Sequence, residues 1–424
     1  VRSADRPTTS SPPILKKEST QLTAPVQAPV KGHNVTIEGD VESHLHPRPS
    51  WRLADHPMPT GREEIWRFTP VREFAPILAE KPTRASLEWD IRAPEAVTVH
   101  ELTQADLRDL AETPQDRMSA AAAANSANPS GRITIPANAQ LDDPIDIDLT
   151  GTGSAEPVYQ NVVVEIGSCA KVTLVVRYRG SANLGENWTF RIADGAEATI
   201  VFVHEWDDDA VHGAQIAFEL GRDTTVRTAQ ASFGGKALRI SQTASFQGPG
   251  ADLSQLGVYF ADADQHIEHR LFVDHNSPRT KSRVDFRGCL QGAGAHTVWV
   301  GDVLIRPVAE GIDTYESNKN LVLTEGCRAD AVPNLEIQTG NIVGAGHSAS
   351  TGRFDAEQLF YLESRGIDEE EARRLVVHGF FTDIVRRIGV EEISTELMNR
   401  IEEELLETLG ASTQPAVADK PSEG

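Results

Sequence analysis

Two stretches decide the fold when one is set above the other: Ser168-Cys-Ala-Lys-Val-Thr-Leu-Val175 and Asp194-Gly-Ala-Glu-Ala-Thr-Ile-Val201, offset by 26 residues. Each is a turn containing a small residue, followed by a run of strand length. Gly221-Arg-Asp-Thr-Thr-Val-Arg227 repeats the pattern about 27 residues on, and Pro249-Gly-Ala-Asp-Leu-Ser-Gln-Leu256 about 28 further. Glu325-Gly-Cys-Arg-Ala-Asp-Ala-Val332 lies about three periods beyond. A turn and a β run at this period predict the coils of a β-solenoid, each burying its inward side chains against its neighbours. A large β-sandwich is the other architecture this pattern allows.

Outward from the repeat, residues 132–345 keep the same texture. Asn161-Val-Val-Val-Glu-Ile166, Lys171-Val-Thr-Leu-Val-Val-Arg177, Ala198-Thr-Ile-Val-Phe-Val203 and Val298-Trp-Val-Gly-Asp-Val-Leu-Ile305 are strand-length runs bounded by Gly, Asp, Asn or Pro. Residues 46–131 are mixed. Gly61-Arg-Glu-Glu-Ile-Trp-Arg-Phe68 predicts a short helix or turn carrying two aromatic anchors, and Thr103-Gln-Ala-Asp-Leu-Arg-Asp-Leu-Ala111 has helical spacing. Residues 118–131 read as an Ala-rich helix ending near Asn125 or as a mobile connector. Residues 1–45, rich in Pro, Ser, Thr and Lys, predict a disordered arm.

Residues 346–410 predict a helical domain. Asp355 with Gln358 is a capping pattern that Gly366 closes; Asp368 with Glu371 opens a second helix that Gly389 ends. Gly379 inside it either splits the pair or admits a close neighbour. Ile393, Leu397, Ile401, Leu405 and Leu409 form a narrow i+4 stripe on an acidic helix, suited to packing within the domain or to a partner's groove. Residues 411–424 read as a disordered tail.

Lys+Arg number 40 against Asp+Glu 63, a formal charge of −23, which argues against nucleic acid or an anionic membrane as a partner. No apolar run is long enough to span a bilayer, and the first residues carry no apolar secretory core. Three cysteines, Cys169, Cys289 and Cys327, are too few and too uneven for a disulfide framework. Together these features predict a cytoplasmic chain.

Candidate chemistry is sparse. Gly344-Ala-Gly-His-Ser-Ala349 fits a dinucleotide fingerprint by spelling, but the next capping signal comes only at Asp355 and no second β unit follows. Gly344 and Gly346 instead suit a tight turn out of the solenoid. Gly234-Gly-Lys-Ala237 lacks the hydroxyl and upstream glycine of a phosphate loop, so any ATP hydrolysis belongs to a partner. His266, His269 and His275 lie close, but strand alternation puts His266 and Glu268 on one face and His269 on the other. They read as exposed polar residues of the solenoid rather than as metal ligands. Asp207-Asp-Asp209 and Asp262/Asp264 could pair as the acids of a solenoid carbohydrate-active enzyme, a lyase or hydrolase.

Longer motifs carry a resemblance. Val332-Pro-Asn-Leu-Glu-Ile337, the segment around His347, Asp355-Ala-Glu-Gln-Leu-Phe-Tyr-Leu-Glu-Ser-Arg-Gly366 and His378-Gly-Phe-Phe381 together resemble the C-terminal signature of the SufB/SufD family, scaffold subunits of the SUF iron–sulfur assembly machinery. Gly61-Arg-Glu-Glu-Ile-Trp-Arg-Phe-Thr-Pro70 resembles its N-terminal motif, and the likeness covers roughly residues 55–409. The context of His347 is closer to the SufD branch. The resemblance implies a right-handed parallel β-helix between helical regions, in a mainly β chain. It also implies a non-enzymatic scaffold within a SufB–SufC–SufD complex, paired with SufB through the β-helix. The ATPase SufC would dock on the C-terminal helices, where Phe354, Gln358, Phe360, Arg365, His378, Gly379, Phe380 and Phe381 would make the contact. His347 would face SufB and offer its imidazole to iron, to a nascent cluster or to a proton. Some family members carry a cysteine where Ala345 stands. Cys327, six residues before Pro333, has the spacing of the SufB interface cysteine and is a second candidate. An iron–sulfur cluster or iron would be held only transiently, and a reduced flavin is attributed to the whole family complex.

Overall fold

The structure, a computed structural model, describes residues 48–125, 130–354 and 356–412. The arm expected at 1–45, the Asp355 cap and all but the first residues of the expected tail lie outside the described residues. Two 3-10 turns, Leu53–Asp55 and Glu64–Trp66, precede α1 (Ala75–Leu78), β1 (Glu88–Arg92), β2 (Thr98–Glu101), α2 (Gln104–Leu110), α3 (Arg117–Asn125) and β3 (Ser130–Ile135). The solenoid proper is β4 (Ile145–Ile166), β5 (Lys171–Ile192), β6 (Glu197–Trp206), β7 (Val211–Leu220), β8 (Thr225–Gly234), β9 (Ala237–Phe246), β10 (Asp252–Ala261), β11 (His266–His275), β12 (Lys281–Leu290), β13 (His296–Ile305), β14 (Ile312–Val322), β15 (Arg328–Ile337) and β16 (Ile342–Arg353). Helices α4 (Ala356–Glu363), α5 (Glu369–Ile388) and α6 (Glu391–Ser412) follow.

The strand order β15-β13-β11-β9-β7-β5-β6-β8-β10-β12-β14-β16 is a flattened parallel solenoid. Odd strands build one wall and even strands the other. The long β4 and β5 run through both, so residues 171–180 of β5 pair with β6 and residues 183–192 pair with β7. Lys171 pairs with Glu197, Glu197 with Thr225, Thr225 with Asp252, Asp252 with Lys281 and Lys281 with Asp313. The first four are the repeat members read from sequence.

The corner before each of these strands has one cause. Cys169, Gly195, Asp223, Gly250, Arg279 and Gly311 all take positive φ, two residues before the paired position. A left-handed residue there reverses the chain between walls, and glycine adopts it without a Cβ clash. Gly326 makes the same corner, but ahead of β15, which pairs with β13 on the opposite wall. Glu325–Val332 is therefore not a later member of the first series: both sets of corners use the same turn chemistry, and sequence does not separate them.

Three cores result. The lumen is filled by inward side chains such as Leu174, Trp188, Phe190, Ile200, Phe218, Phe286 and Trp299. The outer surface of the odd wall is covered by the N-terminal elements, with Trp66, Phe74, Ile77 and Met118 on Tyr159 and Val211. The Ala-rich segment is a helix, and Ala120, Ala121 and Ala122 are fully buried because nothing larger fits against the wall.

The outer surface of the even wall is covered by α5 and α6. Val201, Ala231, Phe233, Val258 and Cys289 meet Phe381, Ile384, Val385 and Ile388 of α5 and Ile393, Leu397, Ile401 and Leu405 of α6. The i+4 stripe is thus internal packing, worth about 1.5–3 kcal/mol for each buried Leu or Ile. Asp368 caps α5 through the Glu371 N–H at 2.9 Å, and Gly389 closes it with positive φ. The helix runs unbroken through Gly379, where an added Cβ would meet open space.

Candidate functional site

The two ends of the solenoid differ. At the first, β1 pairs antiparallel with β4, and β3 pairs with it in parallel, so the starting edges are covered. At the other, β15 pairs only with β13 and β16 only with β14. Two parallel edge strands thus stand free among the described residues. Tyr315, Ile337 and Val343 are 44%, 45% and 75% exposed beside them. Free, long, partly apolar edges invite another chain's strands.

His347 is on this end. It lies in β16, not in a turn: neither Gly344 nor Gly346 has positive φ, and both are extended. The reading of these glycines as a tight exit from the solenoid is corrected, and β16 continues to Arg353. Glycine at 346 has a packing reason instead, since an added Cβ would come within 3.1 Å of the Tyr315 ring. His347 is exposed and pairs with Glu316. Ala345 packs inward on the lumen core, so alternation turns the His347 side chain to the same inner side.

Glu316 is buried, at 1% exposure. Burial pushes its carboxyl up to about 8, and the charge of Asp302 adds to the effect. Across the lumen, Gly301 leaves the space it occupies: a Cβ there would lie 2.8 Å from Glu316 Oε1 and 2.4 Å from the Trp299 ring. Glu316 sits in Ile312–Val322, an irregularly polar run with no motif, and sequence reading missed it.

Cys327 lies in the corner ahead of β15, where its Sγ is 3.2 Å from the Gly292 carbonyl and 3.5 Å from Thr324 Oγ1. It is half-buried, and neither of these partners belongs to β16. Cys289 is fully buried under the C-terminal helices, where desolvation holds its thiol well above the usual range.

The three neighbouring histidines are not exposed as expected: His266 is 5% exposed, and His269 and His275 are fully buried. His269 and His275 point into the lumen, and the cap on the odd wall covers His266. Glu268 accepts from Thr69 at 2.7 Å on Oε2 and from Arg239 on Oε1, and Oε2 also lies 3.3 Å from His266 Nε2. Burial alone would raise the Glu268 carboxyl; Arg239, His266 and Arg270 overcome it and hold the group well below its ordinary value. Arg239 also stacks 4.2 Å from the Trp66 ring, so the Trp66 and Thr69 of the N-terminal motif are bolts to the solenoid. His266 meets His296 at 3.2 Å, and His296 meets Asp330 of the edge strand β15 at 2.8 Å. His269 faces inward onto Ser232 at 3.2 Å, and burial lowers it to about 3. Among the described residues, no group of three or more His, Cys, Asp or Glu side chains forms a metal cage. The acidic pairs are corner residues. Asp208 accepts from Gln265 at 3.1 Å, Asp262 caps the Ala263 N–H at 2.6 Å, and Asp264 takes positive φ.

The C-terminal candidates divide. Phe381 is fully buried and belongs to the core under α5, so it is corrected from a surface contact to a support. Phe354 and Phe380 are half-buried, Phe354 under the Arg373 guanidinium at 4.8 Å. Phe360 is 71% exposed, and beside it in sequence exposed Tyr361 carries the Arg365 guanidinium 4.9 Å over its ring. His378 and Gly379 are exposed on α5, and a groove between α5 and α6 is lined by His378, Thr382, Arg386, Thr395 and Met398. The Gln358 side chain lies outside the described residues. No described helix is long and apolar enough to cross a membrane.

Residues 149–380 match the family described as "SUF system FeS cluster assembly, SufBD core domain". An iron–sulfur cluster assembly SufBD family protein of Mycobacterium bovis is 43% identical over 88% of this chain and 96% of its own length. Iron–sulfur cluster assembly proteins SufD are 24% identical over 64% of this chain and 63% of their own length in Bacillus subtilis, and 25% identical over 50% and 57% in Escherichia coli.

Proposed function

The chain belongs to the SufB/SufD family of SUF-system iron–sulfur cluster assembly proteins, and from that premise we propose that it acts as a SufD-like, non-enzymatic scaffold subunit. The observation that carries this reading is the open end of the solenoid. Two parallel strands, β15 and β16, each with one edge unpaired among the described residues, present exposed apolar side chains, with His347 on the terminal strand. A SufB partner with a matching open end would continue both walls by strand pairing and bring its own groups against His347. The imidazole would then receive iron or a nascent cluster as cargo, or pass a proton, at a junction built from two chains. Thiolates for a cluster would come mainly from SufB. Cys327, in the corner ahead of β15, is a secondary candidate.

The second surface is the helical one. Phe360, Tyr361 and Arg365 are exposed at α4 and its end, and His378 and Gly379 are exposed on α5, where a groove opens toward α6. We assign this surface to the SufC ATPase, whose ATP-driven motion would reach the SufB junction because α5 and α6 are fixed to the even wall by a continuous core. Such a scaffold would work in the cytoplasm.

Co-expression with candidate SufB and SufC, followed by anaerobic iron and sulfide analysis of the complex, tests the reading. His347→Ala is expected to abolish cluster loading while SufB and SufC still co-purify. Normal loading in that variant removes the role given to His347; failure of the chain to capture either partner removes the scaffold itself.

A further inference from the structure

Two acids buried in the walls of the solenoid, Glu186 and Glu268, have their carboxylates met by the protein. Glu186 is met by Tyr178 at 2.6 Å, Gln160 at 2.5 Å and His212 at 2.8 Å. Glu268, on the other side of the odd wall, is met by Thr69, Arg239 and His266. Glu316 is treated differently. It is as deeply buried as they are, yet neither Oε1 nor Oε2 accepts a hydrogen bond from any described residue. A buried carboxyl with both oxygens unmet is costly, and natural structures retain such groups where something outside the chain's own bonding completes them.

Its place in the fold says what that is. Glu316 is one coil from the free end and shares its register with His347 of β16. Its carboxyl crosses the lumen to the bare wall at Gly301, against Trp299. Adjacent strands lie about 4.8 Å apart and register partners point the same way, so a carboxylate oxygen and an imidazole nitrogen on these two residues can reach one ion at about 2.1 Å from each. We propose that Glu316 and His347 form a half-site for a divalent cation of the ferrous type on the inner side of the last coil, its remaining positions open toward the free end. This rests on the reading that His347 faces iron chemistry, and it narrows the cargo. An oxygen and nitrogen donor set suits a ferrous ion, whereas a formed cluster wants thiolates, which this pair lacks. The half-site would hold iron before it is built into a cluster.

Anaerobic titration of the full chain with Co²⁺, a spectroscopic stand-in for Fe²⁺, tests this. The wild-type protein is expected to bind one Co²⁺ with visible ligand-field bands. Glu316→Gln and His347→Ala are each expected to weaken that binding by more than the roughly 10–100-fold that losing an outer-shell partner costs. Metal-free unfolding of Glu316→Gln should stay near the wild-type midpoint, because burial already favours the neutral carboxyl and Gln replaces it with a neutral side chain of the same size. Should that variant not fold, the ¹³C carboxyl resonance of Glu316 in the wild-type chain must shift or broaden on Co²⁺ addition. Unchanged affinity in Glu316→Gln with loss in His347→Ala overturns the carboxylate ligand and leaves the His347 reading standing. Loss in Glu316→Gln alone overturns the pairing with His347. No effect in either, or no Co²⁺ uptake by the wild type, overturns both.

Discussion

Charging the free edge gives the sharpest test of how this chain finds its partner. Val343 on β16 is 75% exposed and Ile337 at the end of β15 is 45% exposed, although both lie on edge strands of an otherwise closed solenoid. Fully burying a Val or Ile is worth about 1.5–3 kcal/mol. The fractions still exposed scale this to about 1–2 kcal/mol for Val343 and about 1 kcal/mol for Ile337 on association. Replacing both by Asp removes that gain and adds the cost of desolvating carboxylates. The expected loss is at least about 2–3 kcal/mol, or about 30–150-fold in Kd. Sedimentation velocity with a labelled SufB partner reads this directly. Val308→Asp serves as the control, because Val308 is 65% exposed in the corner between β13 and β14, off both edge strands. Folding is not at stake, since both edited side chains already face solvent in part. If Val343→Asp/Ile337→Asp binds as tightly as Val308→Asp, the free edges are not the interface and the end-to-end scaffold is refuted.

Further expectations test the supports of the two surfaces. Leu397→Ala cuts a fully buried side chain between α6 and the even wall; it should cost about 2–5 kcal/mol in urea unfolding and weaken SufC capture, whereas an unchanged midpoint would detach α6 from the core. His269 is lowered to about 3 by burial, so its neutral form stabilises the fold fully above about 6.5 and that contribution is lost as pH falls toward about 3. Within that window, the stability of wild type minus that of His269→Gln should fall by about 1.4 kcal/mol per pH unit on acidification; a flat difference would mean that the ring is not held neutral. Alkylation under native conditions should reach exposed Cys169 first, half-buried Cys327 more slowly, and Cys289 only on unfolding, as read by peptide mass mapping; early labelling of Cys289 would show that the C-terminal helices lift off the wall.

What could be read from sequence follows the range over which each cause acts. The coil repeat was legible because the left-handed corner two residues before each paired position is a local demand, visible as Gly or Asp at Gly195, Asp223, Gly250 and Gly311. That same locality misassigned Gly326, since the two corners differ only in which wall comes next. The α6 stripe was legible as apolar, while its destination depended on Val201, Phe233 and Val258, side chains far away in sequence. The histidines are buried by partners far away in sequence: His266 by Trp66 and Thr69, about two hundred residues earlier, arriving over the odd wall, and His269 and His275 by the lumen. Glu316 was invisible for the deepest reason. Its strand neighbours Tyr315 and Ser317 give it no motif, and its isolation is a property of the opposite wall, where Gly301 withholds a side chain. His347 was legible only by resemblance, and the structure changes its meaning. As part of a strand it has a register, and the register couples it to Glu316 rather than to the glycines that flank it. A solenoid that simply ended would close its last coil with polar loops or a cap, as β1 does at the start. Among the described residues this one ends on two strands with bare outer edges, and places an unmet acid directly beneath an exposed imidazole.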